Sequence, residues 1–262
     1  MTESNIAPGP PAGAVVVIAG AGRGIGEAVA RDFARRGCRL ALLSESDRAE
    51  KLAEELSSST EAIGIRCDIA DYEAVAAGVE RVIKRWGAID VVVNAAAMLG
   101  PTGDFWTMPP DLWKRTVDVD LCGAFNLMRA VTPGMVERRA GRIVNFAGGG
   151  AAYGYPQFSA YGCSKAAVVR LTETAAMELA EHNVQVNVIA PGAIETDMLR
   201  QVRAAGGEVR TVGRMEDAVR LVAYLASKEA GALSARFIHA RDDYREFPAD
   251  MDRDLYTLRR VQ

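Results

Sequence analysis

The chain has 262 residues, 49% hydrophobic and 25% charged, which is ordinary globular composition and length enough for one large α/β domain or two small ones. A net charge of −3 provides no basic field for nucleic acid and no polybasic patch for a membrane surface. No apolar run approaches the roughly 18 residues of a membrane span, and Met1-Thr-Glu-Ser-Asn5 lacks a charged-then-apolar signal pattern, so a soluble, cytoplasmic protein is expected.

Residues 1–13, ending Ala7-Pro-Gly-Pro-Pro-Ala-Gly13, are too rich in proline and glycine for a packed element and are expected to form a flexible tail. Ala14-Val-Val-Val-Ile-Ala19 is a β-branched run of the kind found in a parallel strand buried on both faces. Gly20-Ala-Gly-Arg-Gly-Ile-Gly26 follows, and then a helix whose Ile25, Val29 and Phe33 share one face. A turn this rich in glycine lets the backbone approach a ligand, and the helix start beyond it offers free N–H groups and a positive dipole end to a phosphate. Strand, glycine turn and helix in that order make a dinucleotide site the leading expectation.

The second strand is expected at Arg39–Leu43, followed by Ser44-Glu45-Ser46 and a helix near Asp47–Ser57. Ala62–Arg66 is a third strand, leading to Cys67-Asp68-Ile69 and a helix through Val75, Val79, Val82 and Trp86. Asp90–Asn94 is the fourth, and Pro110 opens a long helical pattern to about Arg138 through Leu112, Val119 and Phe125. Gly141–Phe146 is the fifth strand, a helix spans Ser159 to Glu181, and Val184–Ala190 is the sixth strand. Helices near Thr196–Ala205 and Met215–Ala226 lead to a seventh at Arg236–His239. Strand and helix alternate without linker or repeat, which implies one Rossmann-like doubly wound α/β domain over 14–240, with ligands at the carboxyl ends of the strands.

Small and polar residues gather at those ends. Asp68 can accept a hydrogen bond from an adenine amino group while Ile69 offers its backbone N–H, and Asn94-Ala95-Ala96-Ala97 has little bulk to obstruct a cofactor. Tyr161 and Lys165 lie four apart near a helix start and so share a face; a neighbouring ammonium is expected to lower the tyrosine pKa and fit it to exchange a proton with a substrate oxygen. Leu171, Ala175 and Leu179 are expected as the buried stripe of that helix. Cys38, Cys67, Cys122 and Cys163 are scattered, with no C-x-x-C pair and two histidines in the chain, so no metal site is expected; His182 and His239 read as helix-end or packing residues.

Gly20-x-x-x-Gly24-x-Gly26, Asp68-Ile69, Asn94-Ala-Ala-Ala97, Tyr161-x-x-x-Lys165 and Pro191-Gly192-Ala-Ile194-x-Thr196, in this order, make the chain resemble a short-chain dehydrogenase/reductase of the single-domain kind from about Ala14 to Ala240. The resemblance implies a seven-stranded parallel sheet and a nicotinamide cofactor. It implies that Tyr161 is the acid/base, that Lys165 holds the nicotinamide ribose, and that Ile194 and Thr196 bind the carboxamide. It also implies a homotetramer or homodimer built on the helices near 110–138 and 159–181. The reaction implied is interconversion of a carbonyl and a secondary alcohol on a small-molecule substrate.

Two positions depart from that family. Its usual serine, 13 residues before the tyrosine, is Gly148 here, flanked by Ala147, Gly149 and Gly150; losing such a donor costs about 10²–10³-fold in turnover. Ser159, Tyr153, Tyr155 and Gln157 lie close enough in sequence to replace it, with Ser159 also suited to cap the helix. Its usual asparagine is Asp120, whose charge should hold Lys165 protonated. For the cofactor, Ser44 lacks the acid that grips ribose hydroxyls, Glu45 points to NAD and Arg23 to NADP; NAD is the expectation, with NADP open. Arg200, Arg203 and Arg210 lend the segment before Gly213 a basic look, and the charged, aromatic stretch 241–262 is expected to pack on the domain or a neighbouring subunit. A cofactor-binding non-catalytic partner subunit and a non-redox enzyme of the epimerase type with tightly held NAD are the alternatives.

Overall fold

The computed structural model describes residues 8–209, 212–248, 251–252 and 256–258. Seven strands, β1 (Val15–Ala19), β2 (Arg39–Ser44), β3 (Ala62–Arg66), β4 (Val91–Asn94), β5 (Gly141–Phe146), β6 (Val184–Ala190) and β7 (Phe237–His239), pair in parallel in the order β3-β2-β1-β4-β5-β6-β7. This is the expected doubly wound sheet, with every strand within one residue of its expected bounds. Strand order reverses between β1 and β4, and their last residues, Ala19 and Asn94, stand side by side. Chains leaving the two strands there part to opposite sides and open a crevice.

Among the described residues there are eight α-helices: α1 (Gly24–Arg35), α2 (Arg48–Leu56), α3 (Tyr72–Trp86), α4 (Pro110–Val117), α5 (Gly123–Arg138), α6 (Ser159–Glu178), α7 (Asp197–Ala204) and α8 (Met215–Leu225). Alternation along the strands divides the core into two layers. Val16 and Ile18 of β1 pack with Val29 and Phe33 of α1 and Leu221 and Leu225 of α8. Val15 and Val17 pack on the other face with Val75, Val79 and Val82 of α3 and Leu127 and Val131 of α5. Phe33 and Ile18 are fully buried, each contributing about 1.5–3 kcal/mol of transfer free energy. Among the described residues no helix is long and apolar enough to cross a membrane.

The expected single helix over 110–138 is interrupted. Asp118–Cys122 forms one π-helical turn between α4 and α5, the wider turn that marks functional sites in many helices. It carries Asp120 into the interior, while Leu112 and Phe125, whose spacing suggested the helix, stand half-exposed at 52% and 50%. The buried stripe of α6 also differs: it runs through Tyr161, Lys165, Val168, Thr172 and Ala176, whereas of Leu171, Ala175 and Leu179 only Leu179 is buried. Its register is set by the polar interior, where Thr172 Oγ1 accepts a 2.9 Å hydrogen bond from Asn145 on β5. Ser159 does not cap α6, whose N-cap is Phe158.

Of the expected flexible tail, residues 1–7 lie outside the described residues. Within residues 8–13, Gly13 N donates to Gly37 O at 2.8 Å and Pro11 O accepts from Cys38 Sγ at 3.7 Å, while Pro11, Ala12 and Gly13 are themselves exposed. Beyond β7, Tyr244 is buried against Tyr224 with ring centroids 5.0 Å apart. Phe237 N donates to Tyr256 O at 2.6 Å, and Leu258 N to Glu173 Oε1 of α6 at 2.6 Å, so these residues cover the free edge of β7.

Candidate active site

A cleft of about 1340 Å3 lies along the carboxyl edge of the sheet, larger than the roughly 300–1,000 Å3 of an ordinary small-ligand pocket. Gly20, Arg23, Gly24, Ile25, Ser44, Glu45, Asp68, Ile69, Ala95, Ala96, Tyr161, Lys165, Pro191, Gly192, Ile194 and Thr196 line it, all of them expected from the sequence. Three expected residues stand behind the wall instead. Gly26 packs α1 onto the turn, where a Cβ would come 2.3 Å from Gly20 O. Asn94 is buried in the sheet, donating to Asn145 Oδ1 at 3.5 Å, so neither lines the cleft. Asp120 supports Lys165 from below.

The glycine turn is shaped by close approach. Gly20 adopts φ +73°, and a Cβ there would lie 2.6 Å from Ala96 N. α1 begins at Gly24 without a side-chain cap from Arg23, so its first-turn N–H groups face the cleft as an anion cradle. The Arg23 guanidinium reaches across to Asp197 at 3.5 Å.

At the far end, Arg115 of α4 bridges two acids, 2.8 Å from Asp68 and 3.5 Å from Glu45. Asp68 also accepts from Ala70 N at 3.0 Å, so both its oxygens are engaged. Ser44 Oγ lies 3.2 Å from Ser46 Oγ, and Arg48 and Arg66 line the same end. Arg115, Arg48 and Arg66 were not among the sequence-derived candidates. The one available signal was the spacing from Arg115 to Val119, which puts both on one helix face; both line the cleft.

At the other end Lys165 Nζ lies 3.2 Å from Asp120 Oδ2, both side chains being almost wholly buried. Asp120 Oδ1 accepts from Met98 N at 2.8 Å, and among the described residues Oδ2 meets the Lys165 ammonium. Burial pushes the Asp120 carboxyl above its ordinary range, and the Lys165 cation opposes that rise. The expectation of a lowered Tyr161 pKa is overturned. Burial pushes this phenol well above its ordinary value, and the nearby Asp120 charge raises it further. Lys165 lies over the face of the Tyr161 ring, 5.5 Å from its centroid, and its charge is taken up by Asp120.

The four candidate replacements for a serine separate cleanly. Ser159 Oγ accepts from Trp113 Nε1 at 3.1 Å, donates to Met108 Sδ at 3.3 Å, and lies outside the cleft lining. Gln157 also lies outside it, while Tyr153 and Tyr155 line it. Thr196 Oγ1 caps α7, accepting from Leu199 N at 3.4 Å. The basic look of the following segment is cancelled locally: Arg200 pairs with Asp197, and Arg203 with Glu195 at 2.7 Å; Arg210 lies outside the described residues. His239 lines the cleft with its pKa lowered by burial. Burial raises the thiols of Cys38 and Cys67 to about 12 and about 11, leaving them protonated.

A model of the short chain dehydrogenase family matches residues 14–207. The chain is 38% identical over 192 residues to oxidoreductase UcpA of Salmonella typhimurium, covering 72% of this chain and 73% of the relative. It is 33% identical over 235 residues to the 3-oxoacyl-acyl-carrier-protein reductase FabG of Staphylococcus epidermidis, covering 85% and 95%. Among solved structures it is similar to NAD+-bound xylitol dehydrogenase, with TM-score 0.81, 31% identity and coverage of 87% and 97%. Actinorhodin polyketide ketoreductase with NADPH matches with TM-score 0.81, 29% identity and coverage of 87% and 95%.

Proposed function

The chain belongs to the short-chain dehydrogenase family, and on that premise we propose that it is an oxidoreductase interconverting a carbonyl and a secondary alcohol with a nicotinamide cofactor. The observation that carries the reading is the buried set Tyr161, Lys165 and Asp120 at the end of a glycine-walled cleft on the carboxyl edge of the sheet. The relatives solved with NAD+ and with NADPH support the cofactor class.

The cleft fits such a cofactor: the close approach at Gly20 and the uncapped start of α1 leave a cradle that a side chain would fill. Gly20, Arg23, Gly24 and Ile25 would hold its diphosphate, Ser44 and Glu45 the adenosine ribose, and Asp68 and Ile69 the adenine. Ala95 and Ala96 leave room for it, and Pro191, Gly192, Ile194 and Thr196 would hold the carboxamide. When bound, the cofactor supplies or accepts the hydride. Tyr161 gives the substrate oxygen its proton or takes it back, and Lys165 orients the ribose while Asp120 holds the lysine in place. Burial raises the phenol's pKa, so Tyr161 enters carbonyl reduction in the protonated form that reaction needs.

NAD is the assigned cofactor, from the Glu45 carboxylate at the adenosine end, which would repel an added phosphate. Arg48 and Arg66 beside the Ser44 and Ser46 hydroxyls favour NADP as a second reading; comparing affinities for the two reduced cofactors separates them. We also assign the homodimer or homotetramer to α4, α5 and α6, which expose Leu112, Phe125 and Met177.

The test is turnover of a panel of ketones, sugars and cyclitols, followed by cofactor absorbance. Turnover supports the reading. Cofactor binding with no turnover supports a non-catalytic partner subunit, which the glycine at 148 favours, and product without net cofactor consumption supports a non-redox enzyme.

A further inference from the structure

Resting on the carbonyl–alcohol reading above, we propose that Tyr155 is the second hydroxyl donor to the reacting oxygen, acting beside Tyr161. The loop Gly148-Gly149-Gly150 runs beneath both phenols. A Cβ on Gly148 would stand 2.2 Å from Tyr161 Oη, and a Cβ on Gly149 would stand 2.8 Å from Tyr155 Cε1 and 3.1 Å from its Cζ. Two successive residues without side chains thus leave room for the Tyr161 hydroxyl and for one edge of the Tyr155 ring. Tyr155 is near enough to raise the Tyr161 phenol electrostatically, ahead of Tyr153 in effect.

The Tyr155 ring is held by a stacking contact and a hydrogen bond. It stacks on Phe158 with centroids 4.6 Å apart and an interplanar angle of 23°. Its hydroxyl donates to Glu208 O at 3.4 Å, so the O–H points towards the segment that follows α7 along the cleft. That bond is long for an O–H donor, whose usual distance is about 2.7–2.8 Å, and a substrate oxygen placed beside Tyr161 offers a stronger acceptor. Ser159 is engaged by Trp113 and Met108, Thr196 by the start of α7, and Ser44 lies with Ser46 at the far end. Tyr153 lines the cleft but is 38% exposed and meets Tyr155 edge-on at 6.2 Å.

The chemistry needs such a group. Hydride delivery to the carbonyl carbon, which a bound nicotinamide would supply, would leave negative charge on the oxygen for the Tyr161 proton to neutralise. Tyr155 donates a hydrogen bond to that oxygen throughout and keeps its own proton. A donor so placed acts on charge that develops only in the transition state, which is where it raises kcat.

Tyr155→Phe keeps the ring, its stacking and its seat on the glycines and removes only the O–H. Wild type, Tyr155→Phe, Tyr153→Phe and Tyr161→Phe are compared for kcat, KM, cofactor affinity and melting temperature on whichever ketone the wild type reduces. We expect Tyr155→Phe to lower kcat by about 10²–10³-fold with cofactor affinity and melting unchanged, and Tyr153→Phe to alter kcat no more than a few-fold. Wild-type kcat in Tyr155→Phe, or a loss confined to KM that marks the Glu208 contact alone, overturns the proposal while leaving the oxidoreductase reading intact. No turnover by the wild type sinks both. Should Tyr155→Phe not fold, Gly149→Ala pushes the ring from its seat with the hydroxyl retained; a like fall in kcat supports the proposal and wild-type kcat overturns it.

Discussion

Lys165 and Asp120 form an ion pair of 3.2 Å inside the wall of the cleft. The pair lies behind the phenol that the mechanism uses, and it divides the local charge in an unexpected way. The ammonium is spent on the Asp120 carboxylate, and burial together with that carboxylate's charge holds the proton on Tyr161. The π-helical turn is the backbone device that makes this possible, because it turns Asp120 into the interior.

Asp120→Asn removes the charge that adds to the burial-driven rise of the Tyr161 pKa. The phenol then ionises at lower pH. For carbonyl reduction, which needs the protonated phenol, the alkaline fall in kcat/KM is expected at lower pH than in the wild type. For alcohol oxidation, which needs the phenolate, the rise moves in the same direction. pH–rate profiles of the two proteins check this, and an unmoved or upward-shifted limb contradicts it.

Lys165→Met leaves Asp120 buried without its cation. Breaking a buried pair in this way costs about 3–5 kcal/mol, read by denaturant unfolding at neutral pH. Burial already raises the Asp120 pKa in the folded state, and losing the cation raises it more. A group raised on folding contributes its full stability below the unfolded pKa and loses it as pH rises through the folded one. The deficit of Lys165→Met is therefore expected to be smallest in acid and to grow towards neutrality.

Gly148→Ala places a methyl where Tyr161 Oη now stands, at 2.2 Å. The ring has to move. Overpacking of this kind costs about 1–3 kcal/mol, and displacement of the acid by about an ångström costs on the order of 10²-fold in rate. Lower melting temperature and lower kcat with unchanged cofactor affinity are expected; wild-type kcat would show that the present seat of the hydroxyl is immaterial.

Much of this was legible from residues alone. β-branched runs such as Val15–Ile18 and Val91–Val93 are buried on both faces and read as strands because parallel sheets bury them so. The cleft followed from small and polar residues falling at the strand ends. What escaped depends on contacts remote in sequence. Nothing local marks Asp118–Cys122 as a π turn, and the tyrosine pKa departs from expectation because spacing shows the cation four residues away but shows neither burial nor the competing carboxylate. Ser159 had the composition of a cap, yet Trp113, 46 positions away, takes its hydroxyl.

Arg115→Ala frees Asp68 and Glu45 from the cation they share at 2.8 and 3.5 Å. Two unneutralised acids then face the end of the cleft assigned to adenosine, where they repel the phosphates of any dinucleotide. Because the three groups are a third or more exposed, the effect is modest. A several-fold rise in the cofactor KM with kcat unchanged is expected from steady-state kinetics, the signature of lost uniform binding.

The most direct test of the account is kcat for ketone reduction by Tyr161→Phe alongside its cofactor affinity. The account predicts that kcat falls by at least about 10²–10⁴-fold while cofactor binding and melting temperature stay at wild-type values. Wild-type kcat in Tyr161→Phe would contradict it, since the proton would then come from another group.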